Sequence, residues 1–127
     1  MNEFNNLINE AKKYVGEFKL SLDWMTAGYV AAAIKSDSGK IYTGICIDVA
    51  SGIGFCAEHS AIAQMLKERE TKIEMVVAIN QDGKIMPPCG RCREFMLLIN
   101  KENEQTKVLI SENKIVSLID LLPYRWC

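Results

Sequence analysis

Residues 56–100, CAEHSAIAQMLKERETKIEMVVAINQDGKIMPPCGRCREFMLLIN, decide the fold. From Cys56 to about Arg69, Ala57, Ala61, Ile62, Met65 and Leu66 recur on one side of a helix. Residues 74–80, EMVVAIN, are short, apolar and β-branched, a buried strand ended by Gln81-Asp82-Gly83. Pro87-Pro88 precede a second helix, from about Cys89 to Asn100, whose core face is Phe95, Met96, Leu98 and Ile99. Proline suits a helix entry because its missing N–H would go unbonded there anyway.

Upstream, YVAAAI at 29–34 and IYTGICI at 41–47 flank the turn cluster Ser36-Asp37-Ser38-Gly39 and predict a β-hairpin. Phe4, Leu7, Ile8, Ala11, Tyr14, Val15 and Phe18 fall at spacings of three and four, which predicts an amphipathic first helix over about 2–17. Ser51-Gly52-Ile53-Gly54 reads as a flexible loop. Downstream, residues 107–110 form a fourth strand and Ile115-Val116 a fifth, and Ser117 caps a last short helix ending before Pro123. The order α-β-β-α-β-α-β-(β)-α defines an α/β class, a three-layer α/β/α sandwich around a mixed sheet of about five strands, with residues 1–127 as a single domain.

The composition narrows the function. The chain has 127 residues, 49% of them apolar, enough for a hydrophobic core without staples. No run approaches the ~18 apolar residues of a membrane span. The start, MNEFNNLINEAKKY, has no secretory pattern, so a cytoplasmic protein is expected. Fifteen basic against 16 acidic residues leave no basic excess for a polymeric nucleic acid, so the expected partner is a small, neutral or weakly charged molecule. The five cysteines, Cys46, Cys56, Cys89, Cys92 and Cys127, are odd in number, which argues against a disulfide framework and for metal or redox chemistry.

Cys56 opens one helix, and Cys89 and Cys92 lie at the start of another, on one face. A helix N-terminus carries partial positive charge and free N–H groups, which favour the thiolate that a metal needs. Three thiolates can thus converge, leaving a fourth metal position open as in catalytic zinc sites. Glu58, two residues after Cys56, can face a water on the metal and shuttle its proton. Two other readings stay open: a thioredoxin-like redox pair of Cys89 and Cys92, or a non-catalytic module whose closed four-cysteine zinc site is completed by Cys46.

Cys56-Ala57-Glu58 followed by Pro88-Cys89-Gly90-Arg91-Cys92 resembles the zinc deaminase signature, H-x-E…P-C-x-x-C with three-cysteine variants. Cysteine at the first ligand position, Val30–Ile34 and the hairpin from Gly39 to Gly44 resemble the zinc-dependent cytidine deaminase family. The Cys-Gly-Arg-Cys-Arg form and the ending LLPYRW at 121–126 are similar to its small blasticidin S deaminases. The resemblance implies Zn2+ on Cys56, Cys89 and Cys92, with Glu58 as proton shuttle in the hydrolytic deamination of a cytosine-type nucleoside. Cytidine, deoxycytidine and a blasticidin S-like nucleoside all fit. It further implies that the N–H of Ala57 holds the base carbonyl and that the C=O of Pro87 receives the leaving amine. A homotetramer (or a dimer) whose active sites borrow residues from neighbours is expected on the same ground.

Some positions depart from the family. Where it has Gly-Val-Asn-Val-Glu, with Asn and Glu holding the sugar, this chain has Gly44-Ile45-Cys46-Ile47-Asp48, so Cys46 and Asp48 stand at the sugar. Gly28 stands where the family has a phenylalanine that stacks on the base, and His59 where it often has an arginine that offsets the thiolate charge. Arg91, between two cysteine ligands, is the candidate for that compensation. His59 reads as a solvated or core-edge residue, Tyr124 and Trp126 as core, interface or neighbouring-pocket aromatics, and Cys127 as an exposed thiol.

Overall fold

A computed structural model of the chain describes residues 2–126, Asn2 without its side chain; Cys127 lies outside the described residues. In chain order the elements are α1 (Asn2–Lys12), β1 (Phe18–Lys19), β2 (Thr26–Ser36), β3 (Ile41–Asp48), α2 (Ala57–Lys67), β4 (Ile73–Asn80), α3 (Gly90–Ile99), β5 (Lys107–Ser111) and β6 (Lys114–Ser117). Two 3-10 turns, Lys101–Gln105 and Leu118–Leu121, flank the last two strands. The strands form one mixed six-stranded sheet. β2 pairs antiparallel with β3 and with β4, β4 runs parallel to β5, and β6 returns antiparallel to β5.

The period-two alternation of the strands divides the core between two faces. Met75, Val77 and Ile79 of β4, with Ala31 and Ala33 of β2, pack against Phe4, Leu7 and Ala11 of α1. On the opposite face Val76 and Ile34 meet Ala61, Ile62 and Met65 of α2 and Met96 and Leu97 of α3. Burying each of the larger side chains contributes roughly 1.5–3 kcal/mol. α2 lies close against β3: a Cβ built on Gly44 would stand 2.4 Å from the backbone nitrogen of Ala61. Only glycine permits that approach, which packs Ser60 and Ala61 of α2 directly against the middle of β3.

Buried polar groups fix where α3 sits. Asn103 Nδ2 donates to the carbonyls of Met96 (2.8 Å) and Thr71 (3.0 Å), while its Oδ1 accepts the N–H of Ile73 (2.8 Å). One fully buried amide thus ties α3 to the entry of β4, satisfying backbone groups that would otherwise be costly to bury.

Three details differ from the sequence reading. The first helix stops at Lys12, not near 17, because the Gly16 N–H donates to the Gly28 carbonyl at 2.7 Å and draws the chain onto the sheet. Beyond that point Tyr14 and Phe18 are exposed, so their helical spacing had no core to serve. The sheet gains β1, a two-residue strand paired through Phe18 and Ala27, for which no apolar alternation exists. The last helix is a 3-10 turn entered at Ser117, whose N–H donates to the Asp120 carboxylate at 3.2 Å.

Candidate active site and metal centre

Cys56 and Cys89 are the N-cap residues of α2 and α3, with extended backbone (φ −74° and −70°) just before each helix begins. Neither uses its side chain to cap, so both sulfurs are free to point forward from helix ends that carry partial positive charge. Cys92 follows in the first turn of α3 and is 1% exposed. The three Sγ atoms lie within 4.8 Å of one another, and Cys56 and Cys89 approach to 3.2 Å.

The thiols would not be comfortable as bare thiolates in this cluster. Burial, followed by the Cys89 thiol beside it, pushes Cys56 up to about 11. Burial and then the charges of Glu58, Cys56 and Cys89 push Cys92 higher still. Cys89 alone stands below its ordinary value: burial opposes the thiolate, but the backbone N–H of Cys92 and hydrogen bonds with the other two thiols outweigh it. A divalent cation relieves this repulsion, and an all-sulfur set at these separations suits zinc. Among the described residues no fourth sulfur joins the cluster. Cys46 stays outside the cluster; its Sγ accepts the Val30 N–H at 3.3 Å and faces Asp48 Oδ2 at 3.6 Å.

These residues lie at a cavity of about 550 Å³, a normal size for a small-molecule site. Cys46, Asp48, Cys56, Ala57, Glu58, Pro87, Cys89 and Arg91 all line it, and the buried Cys92 joins Cys56 and Cys89 in the thiol cluster. Glu58, in the first turn of α2, is 5% exposed, and burial raises its carboxyl above the ordinary value. Pro87 is held in place through its neighbour, since Arg93 Nε donates to the Pro88 carbonyl at 2.8 Å and Nη1 reaches the Leu121 carbonyl at 3.4 Å. Arg93 thereby anchors the strand-to-helix turn to the last 3-10 turn.

Tyr29, Phe55 and Met86 also line the cavity, and the sequence reading missed them. Their apolar character looks like core in sequence; Tyr29 comes from β2, Phe55 from the β3–α2 connection and Met86 from the β4–α3 connection. Gly28 does not line the cavity. Its φ is +91°, and a Cβ there would fall 2.3 Å from the Gly16 carbonyl oxygen, so no side chain fits at that position. His59 is stacked between Phe55 (4.5 Å, 16°) and Phe95 (4.9 Å, 42°), the core-edge placement expected for it. Burial, then Arg91, holds its pKa down. Tyr124 and Trp126 are exposed. Among the described residues no helix is long and apolar enough to cross a membrane.

Residues 7–107 match the family described as the cytidine and deoxycytidylate deaminase zinc-binding region. The chain is 33% identical over 89 residues to the cytidine deaminase of Mycoplasma genitalium, covering 68% of this chain and 67% of that protein. It is 38% identical over 101 residues to that of Shewanella woodyi, covering 76% of this chain and 31% of that protein. The crystal structure of cytidine deaminase from Burkholderia pseudomallei superposes with a TM-score of 0.75 at 26% identity, covering 95% of this chain and 97% of that one. The chain therefore belongs to the cytidine and deoxycytidylate deaminase family, and zinc is the metal its site is built for. It spans about a third to a half of the length of the first curated relatives it matches.

Proposed function

We propose that the chain deaminates a cytosine-type nucleoside hydrolytically, giving the uracil form and ammonia, with Cys56, Cys89 and Cys92 holding zinc. The observation that carries this reading is that the buried Glu58 lines the same cavity as Cys56 and Cys89 of the thiol cluster. Zinc, when bound, supplies the Lewis acidity that lets a water attack C4 of the base near neutral pH.

Glu58 then does the proton work. Its carboxylate takes one proton from the attacking water and delivers it to N3 of the ring; it then takes the second proton from the resulting C4 hydroxyl and passes it to the departing amine, so that ammonia leaves and the C4 carbonyl forms. A carboxyl whose pKa is raised by burial can serve both as base and as acid. The Ala57 N–H, free at the first position of α2, holds the base carbonyl. The Pro87 carbonyl receives the amine. Both residues line the cavity, which is what supports their roles.

Arg91 lines the cavity beside Cys89 and is exposed, a position from which it offsets the charge of three thiolates on a divalent ion. Arg91→Ala is expected to weaken zinc retention against a competing chelator by roughly threefold to tenfold, the range for a partly exposed charge near a charged group. Unchanged zinc affinity would remove Arg91 from the account.

The substrate is cytidine, deoxycytidine or a blasticidin S-like nucleoside, handled in the cytoplasm by a homotetramer or dimer. Ammonia release from those three nucleosides, by protein carrying about one zinc per chain, tests the reaction class. Turnover of at least one is expected, and none from the zinc-loaded protein would overturn the reading.

A further inference from the structure

Pro87 and Pro88 carry no N–H, so the backbone here can be held only through carbonyls or from its flanks. On the β4 side the Met86 N–H donates to the Ala78 carbonyl at 2.9 Å. On the α3 side the carbonyl of the buried Pro88 accepts Arg93 Nε at 2.8 Å. Among the described residues the Pro87 carbonyl accepts no hydrogen bond, which leaves it free for a ligand. The Pro88 ring locks φ and peptide units are planar, so one soft dihedral, ψ of Pro88, separates the pinned carbonyl from that of Pro87. Fixing the first therefore orients the second.

Arg93 is itself braced. Its Nη1 reaches the Leu121 carbonyl at 3.4 Å, at the end of the 3-10 turn Leu118–Leu121. That turn is rooted in the core: Leu118 is fully buried, and Leu121 and Leu122 pack against the cluster that holds Met96 and Leu97 of α3. Downstream, Arg125 pairs with Glu104. Arg93 is half-buried and makes no ion pair among the described residues, so its donors serve backbone carbonyls. A planar guanidinium serves two acceptors in fixed geometry, whereas a lysine ammonium is a single point of charge.

We propose that Arg93 is a positioning residue for the deamination: by clamping the Pro88 carbonyl to the Leu121 carbonyl, it aims the Pro87 carbonyl at the departing amine. The proposal rests on the deaminase reading above and adds to it a side chain that does not line the cavity, together with the segment after β6 that braces it. The amine departs only after water has added, so the contact counts most in the transition state and its loss falls on kcat.

The test compares kcat and KM, per bound zinc, of wild type, Arg93→Ala and Arg93→Lys on whichever of cytidine, deoxycytidine and blasticidin S the wild type turns over. Turnover is followed by the absorbance of the base. Arg93→Ala is expected to lose roughly tenfold to 100-fold in kcat, the scale of a small misplacement of a reacting group, with KM within about threefold. Arg93→Lys keeps the charge without the fork and should lose about tenfold or more. Guanidinium chloride, below the concentrations that unfold the protein, should restore kcat to Arg93→Ala, and ammonium chloride should not. Both variants should keep the zinc content of the wild type. Wild-type kcat in either variant, a loss carried by KM, or equal rescue by ammonium would overturn the proposal and leave the deaminase reading standing. Loss of zinc from both variants would also overturn it, by making Arg93 a support of Cys89 rather than of Pro87. No turnover by the zinc-loaded wild type would remove the deaminase reading and this proposal with it.

Discussion

Glu58→Gln is expected to lower deamination by about 10²- to 10⁴-fold, the usual contribution of a positioned acid–base group, and to leave zinc bound. The amide keeps the shape of the carboxyl in a site that is 5% exposed, so packing around the first turn of α2 should not change. It cannot take the proton of the attacking water, which is the step assigned to this residue. Because binding and metal content survive, the loss belongs in kcat rather than KM. A variant that turns over at the wild-type rate with full zinc would mean that Glu58 is structural and that the cavity works by other groups. The non-catalytic reading of the chain requires that silent outcome.

Cys92→Ala tests the metal centre from below. Cys92 is the buried member of the trio, and alanine fills most of the space it leaves in the first turn of α3. The direct packing cost is therefore small, and the dominant effect is loss of the metal. A ligand present at a hundred to a thousand times its Kd stabilises the folded state by about 2.7–4.1 kcal/mol. For a domain of this size that corresponds to a fall in Tm of roughly 10 °C. The wild-type protein should show the same fall when treated with a strong chelator, and Cys92→Ala should be insensitive to it. Zinc content of the variant should drop close to zero. Retention of about one zinc per chain, with an unchanged response to chelator, would place the metal elsewhere.

Much of the site was legible in the sequence because its signals are local. Cys56, Glu58, Cys89 and Cys92 announce themselves through spacing and through position at helix starts, and the structure gathers all three thiols at one point. The helix-strand-helix unit around β4, α2–β4–α3, carries long apolar patterns, and β2 and β3 were readable for the same reason. What escaped depends on contacts far apart in the chain. β1 is held by one neighbour's backbone and has both residues exposed, so nothing in its composition marks it. α1 ends five residues early because Gly16 bonds to Gly28, a pairing no periodicity encodes.

The cavity lining shows the same limit. Tyr29 and Met86, half-buried, pack against a buried cluster of Ala32, Cys46, Ala57 and Ala78, and the same packing places them in the cavity lining. The vacancy at Gly28 was visible as a residue identity; its cause, the Gly16 carbonyl occupying the space a Cβ would need, was not. Cys46 was readable as an odd residue at the sugar position and as a possible fourth sulfur. Its bonds to Val30 and Asp48, which take it away from the metal, come from the slip in the β2–β3 pairing.

The sulfur count on the bound metal tests the central claim most directly. X-ray absorption at the zinc edge of the wild-type protein is expected to show about three sulfur ligands at ~2.3 Å and one lighter atom at ~2.0 Å, the signature of an open catalytic position. Four sulfur ligands and no light atom would contradict it, closing the site where Glu58 is assigned its work.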